Sequence, residues 1–239
     1  MSVTRIAVAG RKGGVGKTTI SCGLASLLAH QQKKVLVVDL DPQSNVAFAL
    51  GSNPSYPGAA ELILGRSPEL LSINPYLDIL PGGELDNPKV RMAHPEDLAD
   101  AIASYSHDVF IFDCPPGIEH FERLALVAAD AALIVANAHP LAIMGAGRVI
   151  NELRQYQEKG RKVAQKYAIV QSLIDKRRSL DKNLESVLKD LYPNLTTFCV
   201  HQDTELANTT ANQQLLMEYA PNTRGAKDLS TIAQWCLNV

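Results

Sequence analysis

The stretch Gly10-Arg-Lys-Gly-Gly-Val-Gly-Lys-Thr-Thr19 stands between a short apolar run, Arg5–Ala9, and a run of helical period, Thr18–Gln32. Few local folds suit that order. Glycines let the backbone curl until successive N–H groups point at one centre, and the following helix adds the positive end of its dipole. A phosphate group is the expected occupant. Lys17 is placed to reach β- and γ-phosphates, and the Thr18 hydroxyl to ligate Mg2+. The phosphate-contacting candidates are Lys12, Gly13, Gly14, Val15, Gly16, Lys17, Thr18 and Thr19. The strict spacing GxxxxGK[ST] is not met, because Arg11 holds the first glycine position. The loop reads KGGxGK[ST] instead, with a second lysine, Lys12.

Along the rest of the chain, short β-branched runs alternate with longer helical stretches, the pattern of an α/β fold. Strands are expected at Arg5–Ala9, Lys34–Asp39, Leu77–Leu80, Val109–Asp113, Ala131–Ala136, Tyr167–Gln171 and Thr197–Val200. Their apolar residues are continuous, which suits parallel strands buried on both faces. Helices are expected at Thr18–Gln32, Pro95–Ser104, Phe121–Ala129, Gly145–Glu158, Leu180–Leu191 and Gly225–Leu237. The segments Gly51–Gly58 and Pro81–Pro88 read as surface loops. With 239 residues, 46% hydrophobic, and no internal repeat, the expectation is one domain over 1–239: a doubly wound, mostly parallel sheet with flanking helices, of the P-loop nucleotide-hydrolase type.

Two acidic stretches accompany the loop. The second strand runs out into Asp39-Leu-Asp-Pro-Gln43, whose acids at i and i+2 can orient Mg2+ waters and an attacking water. An isolated DxDP would read as a polar turn; beside a phosphate loop it reads as part of a site. A third strand ends in Asp113, followed by Cys-Pro-Pro-Gly117, the arrangement in which an acid holds Mg2+ through water.

The variant loop resembles the deviant Walker A motif of the ParA/MinD family of dimeric ATPases. That resemblance implies ATP and Mg2+ as cofactors and a homodimer closed around nucleotide. It makes Lys12, Lys17 and Asp41 the catalytic candidates: Lys12 reaching the partner's phosphates, Asp41 positioning the water. Thr18, Asp39 and Asp113 become the metal candidates. The DxDPQ pattern is matched by Asp39, Asp41, Pro42 and Gln43, and Pro115-Pro116-Gly117 is similar to the family's switch II turn. Leu126–Asp130 also follows the family, and Glu218–Lys227 resembles its EYxPxSRGAxxY stretch, with Thr223 in place of Ser. On that basis Pro221 and Gln171 are the adenine candidates.

The phosphate loop begins at residue 10, which leads to the expectation of a short class without an N-terminal helix-turn-helix domain. The implied partners are nonspecific DNA and a ParB-like or adaptor protein that stimulates hydrolysis. The implied location is cytoplasmic and nucleoid-associated. From Arg154 to Lys189 the chain carries ten Lys/Arg against four Asp/Glu, a local +6 beside a net −2 overall. Lys162, Lys176, Arg177 and Arg178 are the DNA-binding candidates, and Arg177 matches the arginine of a family segment resembling TMYDxRxxLS. Gln202 and Glu205 stand where many such proteins carry arginines.

Two other readings stay open. A MinD-like membrane switch requires a basic, bulky C-terminal amphipathic helix, whereas no Lys or Arg follows Lys227. A metallocluster carrier requires paired cysteines, whereas Cys22, Cys114, Cys199 and Cys236 are far apart in sequence and form no CxxC. Unpaired thiols, no signal-like N-terminus and no apolar run long enough to span a bilayer lead to the expectation of a soluble cytoplasmic protein.

Overall fold

The computed structural model describes residues 3–239. Its strands are β1 (Thr4–Ala9), β2 (Val35–Asp39), β3 (Leu71–Asn74), β4 (Leu77–Leu80), β5 (Val109–Asp113), β6 (Ala131–Ala136), β7 (Lys166–Ile174) and β8 (Thr196–His201). They form one eight-stranded sheet in the order β3-β4-β2-β5-β1-β6-β7-β8. All pairings are parallel except β3 with β4. Every residue of β2, β5 and β6 is buried, as a strand covered on both faces requires.

The α-helices are α1 (Lys17–His30), α2 (Asn45–Ala49), α3 (Ala59–Ile63), α4 (Asp97–Ala101), α5 (Glu119–Ala128), α6 (Pro140–Glu158), α7 (Ser179–Leu191), α8 (Thr204–Ala211), α9 (Leu216–Tyr219) and α10 (Arg224–Leu237). Helix α1 carries α2, α8, α9 and α10 against it, while α4 packs with α3 and α5. The α10 stripe Leu229, Ile232, Ala233 and Cys236 is wholly buried. Leu229 lies over Gly23 of α1 so closely that a Cβ there would overlap it. The apolar face of the C-terminal helix is therefore already used inside the protein.

Chain order and strand order diverge at β1, which has β5 on one side and β6 on the other. Such a switch point opens a crevice at the carboxyl ends of the strands. The register there is informative. Val8 of β1 pairs with Asp113 of β5, and Asp113 pairs in turn with Asp39 of β2.

Several expectations need correction. Strand β3 was not expected; it is a half-exposed, antiparallel edge piece with a register shift between Ser72 and Asn74, too short to show a period. Nor were α2, α3, α8 and α9, which run for four to eight residues. Helix α6 starts at Pro140 rather than Gly145, since proline suits the first helical turn and His139 caps it by accepting from the Leu141 N–H at 3.1 Å. The helix expected over Pro95–Ser104 is α4 followed by a 3-10 turn at Ile102–Ser104. The segment Pro81–Pro88 is not all surface. Pro81, Gly82 and Leu85 are buried, and the Gly82 N–H donates to Ser44 Oγ at 3.0 Å.

Candidate functional site

The loop between β1 and α1 closes with Gly14 and Gly16 at φ +71° and +87°, a left-handed backbone that glycine adopts without steric cost. Gly16 is the N-cap of α1, and no side chain caps it. The first turn also lacks acidic residues, so its N–H groups and dipole are left for an anion. In front lies a cavity of about 390 Å³, lined by Gly13, Gly14, Val15, Gly16, Lys17, Thr18 and Thr19. Asp41, Asn45, Phe48, Cys114, Pro116 and Thr210 complete its wall.

The two lysines differ in setting. Lys17 is buried, its Nζ bonded to the Lys12 carbonyl at 3.4 Å, and burial lowers its pKa against the attraction of Asp113 and Asp41. Lys12 is half-buried; its Nζ touches only the Gly13 carbonyl at 3.4 Å, and it makes no ion pair among the described residues. One ammonium is set inside the phosphate cavity and the other at its rim.

The acids are organised from the strand ends. Thr18 Oγ1 and Ser21 Oγ each donate to Asp113, at 2.7 Å, one to each carboxylate oxygen. Burial pushes the Asp113 carboxyl up to about 6, although those two hydroxyls and Lys17 pull the other way. Asp39, fully buried, accepts the N–H groups of Asp41 and Val46 at 2.9 Å each, so both its oxygens hold the loop that follows β2. Its carboxyl is raised by burial and by the charge of Asp113. Asp41 Oδ1 accepts from the Gln43 N–H at 2.9 Å. The donor set suits a hard divalent cation: all the groups offer oxygen, and Thr18 gives its proton to Asp113, which leaves its lone pairs free. Two raised, adjacent carboxyls also mark a place where positive charge is in deficit. Asp39, with both oxygens engaged, meets a cation through its charge and through the loop it holds.

Residues 6–216 match the family model described as CobQ/CobB/MinD/ParA nucleotide binding domain. The chain belongs to that family. Among curated relatives, the chromosome-partitioning ATPase Soj of Thermus thermophilus is 29% identical over 237 residues, covering 97% of this chain and 94% of that protein. The sporulation initiation inhibitor protein Soj of Bacillus subtilis is 26% identical, with 93% of each chain covered. Among solved structures, apo McdA from Cyanothece superposes with a TM-score of 0.84 at 22% identity, over 98% of this chain and 99% of that one. The MinD cell division protein of Aquifex aeolicus gives 0.79 at 23%, over 99% and 98%.

The family is named for nucleotide binding, and beside the phosphate-loop cavity runs a narrow slot lined by Gly16, Thr19, Ser172, Leu173, Val200 and Leu206, among others. The sequence pointed to Gln171 and Pro221 for the base, and neither lines this slot. Gln171 is buried on the other side of β7, beside Cys199 and Lys176, and Pro221 is exposed. Side chains alternate along a strand, so the neighbour Ser172 faces the slot instead. Its buried hydroxyl has no hydrogen-bond partner. Leu173 follows at φ +58°, where β7 and β8 slip register between Gln171 and Ile174. Ser21 and Ser172 were both missed from sequence. Ser21 lies three residues after Thr18, on the same helical face, which is a usable signal.

The basic candidates do not form one patch. Lys162 precedes β7, whereas Lys176, Arg177 and Arg178 follow it. The eight residue steps of β7, at about 3.3 Å each, make a strand roughly 26 Å long, and the two groups flank its opposite ends. Arg177 is also chelated by Asp175, at 2.9 Å from Nε and 2.8 Å from Nη2, which holds the Asp175 carboxyl well below the usual range. Arg178 borders an open groove with Ala138, Pro140, Leu173 and Leu180, so the cluster has an apolar flank. Gln202 and Glu205 are exposed and uncharged or acidic, as their sequence implies.

Proposed function

We propose that this protein is a ParA-type, Mg2+-dependent ATPase that closes into a dimer around ATP and, in that state, binds DNA without regard to sequence. The observation that carries this reading is the division of labour between two lysines of one loop. Lys17 supplies the cation for a nucleotide in its own cavity, and Lys12, half-buried at the rim with no acidic partner among the described residues, is free to reach a second copy's phosphates. Mg2+ bound with the nucleotide neutralises charge on the β- and γ-phosphates. The chain's own groups do the rest. The loop amides and Lys17 hold the triphosphate, Thr18 and Asp113 hold the cation site, and Asp41 at the cavity wall orients the attacking water. The dimer's role is partition or positioning of a cargo, with hydrolysis stimulated by a partner protein; the relative in Thermus thermophilus, a chromosome-partitioning ATPase, supports the partition part.

Co-sedimentation with DNA in ATP, in ADP and without nucleotide tests the reading. Binding in ATP alone supports it. Binding in all three conditions or in none overturns the DNA part, and ATP-dependent capture by anionic liposomes moves the protein to a membrane role. A second reading has a specific observation behind it. The apolar groove beside Arg178 suits a protein surface better than a phosphate backbone, so the same arginines would then face the partner.

A further inference from the structure

Arg11 fills the position that the strict phosphate-loop spacing gives to glycine, yet its side chain turns away from the nucleotide. Its guanidinium meets three carboxylates on two helices: Nη1 bonds Glu119 of α5 at 2.7 Å, Nε bonds Glu122 of α5 at 3.0 Å, and Nη2 bonds Glu152 of α6 at 2.6 Å. The second oxygen of Glu152 accepts from Arg123 of α5 at 2.8 Å. The pairs with Glu122 and Glu152 are not exposed surface bridges: Arg11 is 13% exposed, Glu122 2% and Glu152 15%. Burial raises the Glu122 carboxyl, and Arg11 is the strongest influence opposing it. A buried carboxylate held by one cation is a firm contact, since losing the cation strands a charge.

The backbones meet at the same place. A Cβ on Gly145 of α6 would stand 3.3 Å from Arg11 Cβ, and one on Gly117 would stand 3.9 Å from the Arg11 carbonyl. Gly13 faces Pro116 at 3.8 Å. Residues 11–13 and the turn 115–117 thus lie against each other, and Pro116 also lines the nucleotide cavity. That turn begins just after Asp113 and leads into α5, where two of the Arg11 carboxylates are anchored.

We propose that Arg11 is a positioning residue for hydrolysis, locking the mouth of the phosphate loop to α5 so that the turn after Asp113 is held against the reacting phosphate. This rests on the ATPase reading above. The loop amides, Lys17 and Thr18 do not depend on the Arg11 side chain, so nucleotide affinity stays and turnover falls. The test compares Arg11→Gln, Arg11→Lys and the double variant Arg11→Gln with Glu122→Gln. The double variant removes the stranded charge and keeps the test valid if the single one folds poorly.

The expected result for the double variant is a kcat lowered roughly 10- to 100-fold, the cost of a small misplacement near a reacting centre, with KM and ATP Kd within about twofold of the parent. Arg11→Lys, able to serve fewer carboxylates at once, falls between the two. Hydrogen exchange gives a second readout: ATP protects residues 113–122 in the parent and much less in the double variant. A folded double variant with parental kcat, or with equal ATP-induced protection, overturns the role of Arg11. A parent that binds ATP but releases no phosphate overturns the ATPase reading instead, and the exchange comparison then decides the coupling on its own.

Discussion

Asp39 and Asp113 stand in register on neighbouring strands β2 and β5, both fully buried, at the point where the sheet opens beside the phosphate loop. Each has both oxygens engaged, Asp39 by two backbone N–H groups and Asp113 by two hydroxyls. Their carboxyls are nevertheless raised, by burial first, with the charge of Asp113 adding to Asp39 and that of Asp41 to Asp113. On the ATPase reading, a divalent cation in front of these strand ends would offset the crowding of negative charge.

The two lysines separate binding from assembly. Lys17→Ala is expected to abolish ATP binding in a calorimetric titration, because no other buried cation lines the cavity. Lys12→Ala should bind ATP as the parent does yet stay monomeric on size-exclusion chromatography with ATP, and lose stimulated hydrolysis. Normal ATP-dependent dimers of the Lys12 variant would rule out its reach across the interface.

Asp41 lies at the cavity wall, and among the described residues its carboxylate accepts only from the Gln43 N–H. Asp41→Ala should keep ATP, stop turning it over, and accumulate as a dimer. The measurement is phosphate release alongside light scattering; a variant hydrolysing at the parental rate removes Asp41 from its water-positioning place.

Stability of the metal-free protein should fall between about pH 4 and pH 6. Across that window the folded Asp113, raised to about 6, still holds a proton that the unfolded chain has released, so the unfolded state gains relative to the native one as pH rises. Mg2+ with nucleotide should flatten the slope. Asp113→Asn should raise the metal-free melting temperature at pH 7.5 by a few degrees, since Thr18 and Ser21 hydroxyls can turn to suit an amide. Thermal scans over a pH series, with and without Mg2+-nucleotide, read all three outcomes.

Ser172 carries a buried hydroxyl without a partner, aimed into the slot beside the loop. If a base completes that hydrogen bond, Ser172→Ala weakens ATP roughly 2- to 10-fold and leaves inorganic triphosphate affinity unchanged. The same substitution should not destabilise the nucleotide-free fold, because it removes an unsatisfied group. Equal ATP affinity in parent and variant would place the base elsewhere.

Reversing Arg177 and Arg178 together to Glu should end ATP-dependent DNA sedimentation and spare dimerisation, as neither residue lines the nucleotide cavity. Lys162→Glu should change little, being at the far end of β7. Loss of binding from Lys162→Glu alone would move the DNA face to the opposite end of the sheet.

Three inner strands were legible to the residue: Leu77–Leu80, Val109–Asp113 and Ala131–Ala136 have the bounds that their short apolar-rich runs predict. The half-exposed edge piece β3 and the one-turn helices carry no such pattern, because edge exposure and tertiary contacts decide them. The phosphate loop and its acids were legible because glycine spacing and strand ends are local facts. Two features were not. The face of β7 that borders the slot beside the phosphate loop depended on strand parity near a register slip, which puts Ser172 rather than Gln171 on it. The partners of Arg11 lie 108, 111 and 141 residues away, beyond any local pattern.

The length of β7 sets a limit on grip. With Lys162 at the far end of β7, the candidate cluster on one protomer is Lys176, Arg177 and Arg178, and Asp175 already occupies one of them. At about 0.9 per phosphate, that is a salt exponent of under 3 for each subunit. On the DNA reading, so slight a hold would let the protein exchange freely along the nucleic acid, and its persistence there would rest on how many copies share the surface.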